Sequence, residues 1–320
     1  MIDWRSASFD AIRRFRPPAG KSPCRVGIVV PMFMEQRRIS PPGPGNPFGE
    51  DAWRAKINHV LEISGLNKSL RWDLLAVEDG EEAVHGRPTT SDIAADILQT
   101  MSHGRLADGV WVSDGDGLVR AHILRFPAAE KRRLRGCKGT AVVWGLHHLL
   151  EAGADYCVYT DADLSADLRH LGLLMAPLAD GKRVVIGSRL HRLSTVKNRP
   201  LFGRLSSRLY SGLANALLPL AGARDIQSGF KLYDSGLLRE ILPALQPAPG
   251  PWQVDERFDF GASFDSNFLA RAVLKAGPGA VQEVPIEWID SRPESKFRGM
   301  QFGIAAVRMI KGLFCQRRFV

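Results

Sequence analysis

Along the first two-thirds of the chain, short apolar β-branched runs alternate with longer stretches in which apolar residues recur every three or four positions. Val26-Gly27-Ile28-Val29-Val30-Pro31 is the first such run, closed by a proline, and predicts the first strand of a parallel sheet. A helix is expected from Asp51 to Ile63, then a strand over Trp72-Asp73-Leu74-Leu75-Ala76-Val77. Thr90 to Met101 puts Ile93, Ile97 and Leu98 on one helical face, and Gly109 to Ser113 reads as a third strand. Ala141 to Glu151 predicts a helix, and Tyr156 to Thr160 a strand buried on both faces. A helix over Leu168 to Leu178 and a buried strand leading into Gly187-Ser188-Arg189 complete the regular part. Repeated strand, turn and helix units of this kind predict an α/β fold: a Rossmann-like, mostly parallel sheet flanked by helices.

The remainder is less regular. Pro200 to Leu218 is amphipathic, with Leu201, Leu205, Leu209, Leu213 and Leu217 four residues apart and Arg204 and Arg208 on another face. Asp225 to Lys231 is a polar turn, suited equally to a loop over a ligand and to an ordinary hairpin. Asp265 is expected to cap a helix beginning at Phe264, and Val281 to Ile286 to form a late edge strand. The stretch from Met300 to Phe314, followed by Gln316-Arg317-Arg318, fits a helix lying on a membrane as well as one packed on the sheet. Residues 1–22 read as a basic arm with a short helix over Ser8 to Arg14, ended by Pro17-Pro18.

Composition narrows the choices. With 320 residues and 45% hydrophobic content, the chain can bury the core of one large domain, expected over residues 23–320. No window holds eighteen consecutive apolar residues and residues 1–16 lack a signal-peptide core, so a cytoplasmic chain, soluble or peripheral, is expected. Cys24, Cys137, Cys157 and Cys315 lie far apart without a C-x-x-C pairing, which argues against a zinc site or a disulfide framework. The net charge of +9 is uneven: residues 181–224 carry nine Lys or Arg and no acid, and residues 295–320 carry six and none. Such blocks suit an anionic partner, whether phosphates, nucleic acid or a membrane surface. Nucleic acid ranks well below the others, because the segment lacks the stacking aromatics of single-strand binders.

The chemistry concentrates at strand ends. Asp161-Ala162-Asp163 follows the strand ending at Thr160, and Glu78-Asp79-Gly80 follows the one ending at Val77. Ligands of open α/β sheets bind outside the carboxyl ends of the strands. Mg²⁺ is usually held by one or two carboxylates plus substrate phosphates, so Asp161 and Asp163 are candidate metal ligands. The same pair serves equally well as a solvated turn, with Asp163 or Ser165 capping the next helix. Lys138-Gly139-Thr140-Ala141 opens a helix whose first amides would face an anion, or simply marks a cap.

Taken in order, these pieces resemble the GT-A fold of family 2 glycosyltransferases, in particular polyprenyl-phosphate (dolichyl-phosphate) glucosyl- and mannosyltransferases, over roughly residues 25–300. Val29-Val30-Pro31-Met32-Phe33-Met34-Glu35 resembles V-V-P-x-Y-N-E, with Phe33 for the usual aromatic and Met34 for asparagine. Val77-Glu78-Asp79-Gly80 resembles V-D-D-G, Lys138 to Ala141 resembles K-G-x-A, and Asp161-Ala162-Asp163 the D-x-D motif. Gly187-Ser188-Arg189 matches G-S-R, Asp225 to Lys231 resembles D-x-Q-C-G-F-K, and Arg292 to Lys296 the R-x-x-x-S-K loop. Phe264-Asp265-Ser266-Asn267 departs from F-D-x-E by placing Asn267 where an acid is usual, and residues 40–47 form a Pro/Gly insertion.

The resemblance implies a nucleotide-binding half over about 23–190 and an acceptor half over about 191–320. It implies a UDP- or GDP-sugar donor, Mg²⁺ or Mn²⁺ on Asp161 and Asp163, and inversion at the anomeric carbon. Asp79 and Glu35 would hold base and ribose, with Pro31, Phe33, Glu78, Gly80, Lys138, Ala162, Arg189 and Gly229 around the nucleotide. Lys231 and Lys296 would neutralise the departing diphosphate. A lipid-phosphate acceptor, already ionised, would need positioning by Arg189, Arg204 and Arg208. A hydroxyl acceptor would need a base, Asp225 or Asp265. The departures at Met34 and Asn267 leave open a nucleotide-sugar binder without turnover.

Overall fold

The computed structural model describes residues 3–290 except 45, 81–86, 115–116, 135–137, 200, 249, 256–257, 259 and 262; the side chains of 132–134, 201–202, 246–248 and 250–254 also fall outside the description. The chain runs Trp4–Arg14 (α1), Cys24–Met32 (β1), Gln36–Ile39 (α2), Ala52–Ser64 (α3), Leu70–Glu78 (β2) and Thr90–Thr100 (α4). Next come Gly104–Ala107 (β3), Val110–Ser113 (β4), Val119–Arg125 (β5), Ala128–Leu134 (α5), Lys138–Glu151 (α6) and Tyr156–Thr160 (β6). Leu171–Met175 (α7), Val184–Ser188 (β7), Thr195–Lys197 (β8), Leu201–Leu217 (α8), Phe230–Asp234 (β9) and Ser235–Ile241 (α9) follow. Leu245–Ala248 (β10), Gly250–Val254 (β11), Phe264–Ala276 (α10), Val281–Pro285 (β12) and Glu287–Ile289 (β13) complete it.

Nine strands form one sheet in the order β12-β7-β9-β6-β1-β2-β5-β4-β3. The apolar runs β1, β2 and β6 are central and parallel, as strands buried on both faces must be. One apolar layer packs Trp53, Ile57, Trp72 and Leu171 on one face, and a second packs Val142, Leu146, Leu237 and Phe268 on the other. The fold is therefore a mostly parallel α/β sheet covered by helices.

Several elements differ from the sequence-based expectation. β5 is absent from the periodicity reading because Arg120 and His122 interrupt it; Arg120 folds onto Asp73 at 2.6 and 2.9 Å, which lets a charged residue sit in the sheet. The expected third strand, β4, is instead antiparallel to β5 and belongs to an edge hairpin with β3. β9 begins at Phe230, within the stretch expected to be a polar turn, and inserts antiparallel between β6 and β7, carrying Lys231 into the interior. The expected helix over Leu168 to Leu178 is broken into 3₁₀, α and 3₁₀ segments, with Pro177 in the last of them. Segment 1–22 is not a free arm, since α1 begins at Trp4 and buries Trp4, Ser8 and Ile12 beside α7. The basic residues beyond residue 290, including those of the helix expected from Met300, lie outside the described residues.

α6 lies close against β1 and β2 because residue 145 has no side chain: a Cβ there would meet Val29 Cγ1 and Val77 Cγ2 at 2.8 Å. β1 and β2 are thus set by helix-on-sheet contact at van der Waals distance. Gly145→Val is expected to destabilise the protein by about 1–3 kcal/mol through overpacking. Urea unfolding of the variant beside the wild type reads the difference.

Candidate active site

β1, β2, β6 and β7 run in the same direction, so their carboxyl ends open on one side of the sheet. Phe33 and Glu35 follow β1, Asp79 follows β2, Asp161 and Asp163 follow β6, and Arg189 follows β7. β9 runs the other way, so Gly229 and Lys231 reach the same end from its start. The topology therefore gathers the acids of both strand-end motifs at one edge.

At the D-x-D loop, Asp161 receives Lys138 Nζ on Oδ1, and burial, which would raise its pKa, is outweighed by the charge of Lys138. Gly229 makes room for this carboxylate: a Cβ at that position would lie 2.0 Å from Asp161 Oδ2. Asp163 accepts the Ser165 amide at 3.0 Å and faces Arg38 Nη1 at 3.5 Å, and Arg38 also lies 3.6 Å from Glu35. Glu50, just beyond the Pro/Gly insertion, accepts the Leu164 amide at 3.2 Å. Asp163 caps no helix; Asp167 caps the following 3₁₀ turn, accepting from Arg169 N. Ala162 is buried between the two acids.

Among the described residues no group of three or more His, Cys, Asp or Glu is arranged to hold a metal by itself. Asp161 and Asp163 supply the hard oxygen donors that a divalent cation prefers. The carboxylate cradle at Gly229 supports the same reading.

At the ends of β1 and β2, Lys131 ties two motifs together: its Nζ lies 3.2 Å from the centre of the Phe33 ring and 3.5 Å from Asp79 Oδ2. Gly80 has φ +59°, and a Cβ there would crowd Lys131 at 3.1 Å, so the turn after β2 needs glycine. Glu78 points elsewhere. It is buried, accepts from Ser91 Oγ on α4 and lies 3.8 Å from Arg125, an arrangement that braces α4 on the sheet. Pro31 pairs with Val77 inside the sheet and acts through backbone placement. Met34 has φ +52° and is 59% exposed, so it occupies the left-handed region that asparagine, the residue of the resembled pattern, adopts more cheaply.

Around the start of β9, two buried contacts engage Arg189 and Lys231, which were expected at a substrate phosphate. Arg189 grips Asp225 through Nε at 2.8 Å, Nη2 at 2.6 Å and its own amide at 2.7 Å. Burial would raise the Asp225 pKa, but the Arg189 charge and hydrogen bonds hold it below the ordinary carboxylate range, which makes it a poor base. Lys231 is wholly buried and directs its ammonium at Tyr159 OH, Ser228 O and Asp265 Oδ1, at 2.8, 2.6 and 2.6 Å. With three donors so committed, it orients Asp265 and does not reach for a diphosphate. Asp265 is likewise no helix cap: Ser263 holds that position, and Asp265 accepts from Tyr159 OH as well, its carboxyl pushed by burial up to about 8. Asn267 is buried beside it on α10, and its Oδ1 has no hydrogen-bond partner among the described residues.

Arg204 and Arg208 are exposed on α8. Lys296 lies outside the described residues. Sequence reasoning passed over Arg38, Lys131, Tyr159 and Arg199. Arg199 donates to Ser207 Oγ at 2.5 Å, while its Nη1 is buried without a hydrogen-bond partner among the described residues. The signal for it was present, since Arg199 stands inside the acid-free basic block.

Comparison with known proteins agrees with this geometry. No family model matches the chain. Glycosyltransferase AglD of Haloferax volcanii is 32% identical over 137 residues, which is 43% of this chain; the chain spans only 20% of that protein's length. Glucosyl-3-phosphoglycerate synthase from Mycobacterium tuberculosis, crystallised with Mn²⁺, UDP and glucosyl-3-phosphoglycerate, superposes with a TM-score of 0.54 at 16% identity, covering 99% of this chain and 83% of that one. Mannosyl-3-phosphoglycerate synthase from Rubrobacter xylanophilus gives 0.53 at 16% identity, covering 97% and 76%. The chain shares their fold, and that fold is the GT-A arrangement its motifs resemble.

Breaking the tighter of the two ion pairs should be costly. The Asp225 side chain is 1% exposed and that of Arg189 12%, so Arg189→Met is expected to destabilise the protein by about 3–5 kcal/mol by stranding a buried carboxylate. Chemical denaturation at neutral pH, where Asp225 is ionised, measures the loss.

Proposed function

We propose that this chain is a metal-dependent glycosyltransferase that moves a sugar from a nucleoside-diphosphate sugar, a UDP-sugar in the first instance, to an acceptor bearing a phosphate monoester. The observation that carries the reading is the D-x-D loop at the strand ends: Asp161 seated against Gly229, with Asp163 beside it and Asp79 two strands away on the same edge. Asp161 and Asp163 would hold the cation, and when bound it supplies charge for the departing diphosphate. Lys138 and Arg38, already on these carboxylates, are the protein's own cations for the phosphates. Phe33, Asp79 and Lys131 form the base-binding wall. The likeness to a synthase crystallised with Mn²⁺ and UDP-glucose supports the donor class.

The acceptor follows from the state of the acids. Asp225 is buried and held ionised by Arg189, which makes it a poor base; Asp265, its carboxyl raised by burial to about 8, is occupied by Lys231 and Tyr159 OH and is the one acid of the two that could take a proton. A phosphate monoester is ionised before it binds, with a second pKa of roughly 6, and needs no base. A polyprenyl phosphate at a membrane face is the favoured source. Leu205 and Leu209 on α8 are 56% and 67% exposed beside exposed Arg204 and Arg208, which suits contact with anionic lipid. Among the described residues no helix is long and apolar enough to cross a membrane. A soluble phosphorylated acceptor is the second reading, supported by the Mycobacterium tuberculosis synthase that binds phosphoglyceric acid. A base, if that acceptor reacts through a hydroxyl, would be Asp265.

UDP-glucose with Mn²⁺ is expected to raise the melting temperature of the wild type and leave that of Asp163→Ala unchanged, while the two proteins give the same circular dichroism. A full shift in the variant would remove the metal assignment. The lipid source is tested separately: the protein should sediment with anionic liposomes at low salt and be released by salt. Protein that stays in the supernatant while phosphoglyceric acid accepts sugar would decide for the soluble acceptor.

A further inference from the structure

The Pro/Gly insertion at residues 40–47 departs from the resembled pattern and belongs to none of the strand-end motifs. Pro41, Pro42, Pro44 and Pro47 restrict its backbone. The chain here folds back on itself: Gly43 and Asn46 exchange amide-to-carbonyl hydrogen bonds of 3.1 and 2.9 Å, and Asn46 Nδ2 donates to Arg37 O at 2.7 Å. Its exit then crosses its entrance, with Glu50 N donating to Arg38 O at 3.1 Å and Asp51 N to Ser40 O at 3.0 Å. The crossing is close, since a Cβ at Gly49 would lie 2.5 Å from Pro41 O. The insertion is a closed loop with fixed ends.

Both ends meet the D-x-D loop. At the entrance, Arg38 faces the Asp163 carboxylate at 3.5 Å. At the exit, half-buried Glu50 accepts the Leu164 amide on Oε2 at 3.2 Å, reaching it from 114 residues away in the chain. That amide belongs to the peptide link between Asp163 and Leu164, so holding it sets the direction in which the Asp163 side chain leaves the backbone. The next residue is fixed from two further directions: Ser165 N donates to Asp163 Oδ1 at 3.0 Å, and Ser165 O accepts from Ile289 N at 3.0 Å. Asp163 thus has its backbone held by the insertion and its carboxylate left at the strand ends.

We infer that the insertion is a clamp on the D-x-D loop and that Glu50 is its positioning residue, holding Asp163 in the orientation in which it joins Asp161 on a divalent cation. The inference rests on the function proposed above. Glu50 acts through the Leu164 amide and not on the cation or the nucleotide. What the clamp needs at this position is an acceptor oxygen, and the neutral side chain of glutamine supplies one of the same reach.

The test is calorimetric titration of Mn²⁺ into protein saturated with UDP. Glu50→Ala is expected to weaken Mn²⁺ binding about tenfold, the order expected from losing one hydrogen bond to a charged group. Glu50→Gln should stay within about threefold of the wild type, because a neutral acceptor keeps roughly half of that bond. Asn46→Ala loosens the insertion without touching the D-x-D loop and should shift the affinity in the same direction as Glu50→Ala; it replaces that variant should the alanine protein not fold. Folded protein of either alanine variant that binds Mn²⁺ as tightly as the wild type, whatever its melting temperature, overturns the inference and leaves the insertion a purely structural loop. Glu50→Gln as weak as Glu50→Ala overturns it too, because the charge of Glu50 and not the held amide would then matter. Wild-type protein that takes up no Mn²⁺ even with UDP would instead sink the proposed function, and this inference with it.

Discussion

Everything at the open edge of the sheet depends on how carboxylates at neighbouring strand tips are compensated. Parallel strands deliver Asp79, Asp161 and Asp163 to one side, where like charges would repel. Basic residues answer each acid locally: Lys131 for Asp79, Lys138 for Asp161, Arg38 for Asp163. A site balanced in this way is stable without a ligand, yet its cations are those that a nucleoside diphosphate would attract. Folding stability and ligand selection thus draw on the same charges.

The contacts around β7 and β9 follow a different rule, set by desolvation. Arg189 with Asp225, and Lys231 with Asp265 and Tyr159, are pairs that burial forces together. A buried charge without its partner is far more costly than the pair. These residues therefore act as fixed struts between β6, β7, β9 and α10. Their lack of freedom keeps Arg189 and Lys231 from turning toward a ligand.

Local pattern and long-range contact divided the information unevenly. β1, β2 and β6 were legible because a strand buried on both faces is an unbroken apolar run, and α4 because Ile93, Ile97 and Leu98 recur on one helical face. β5 and β9 were not legible, since Arg120 and Lys231 break their apolar pattern and are neutralised only by Asp73 and Asp265, 47 and 34 residues away.

By itself the sequence determined the α/β class, the order of the motifs and the placing of acids at strand ends, because periodicity and turn chemistry act over a few residues. Only the tertiary structure decided which acid meets which base, which carboxyl is held ionised and which is pushed up to about 8, and that β9 runs against its neighbours. Those outcomes turn on desolvation and on charges brought together from distant parts of the chain, and neither exists until the sheet has closed around them.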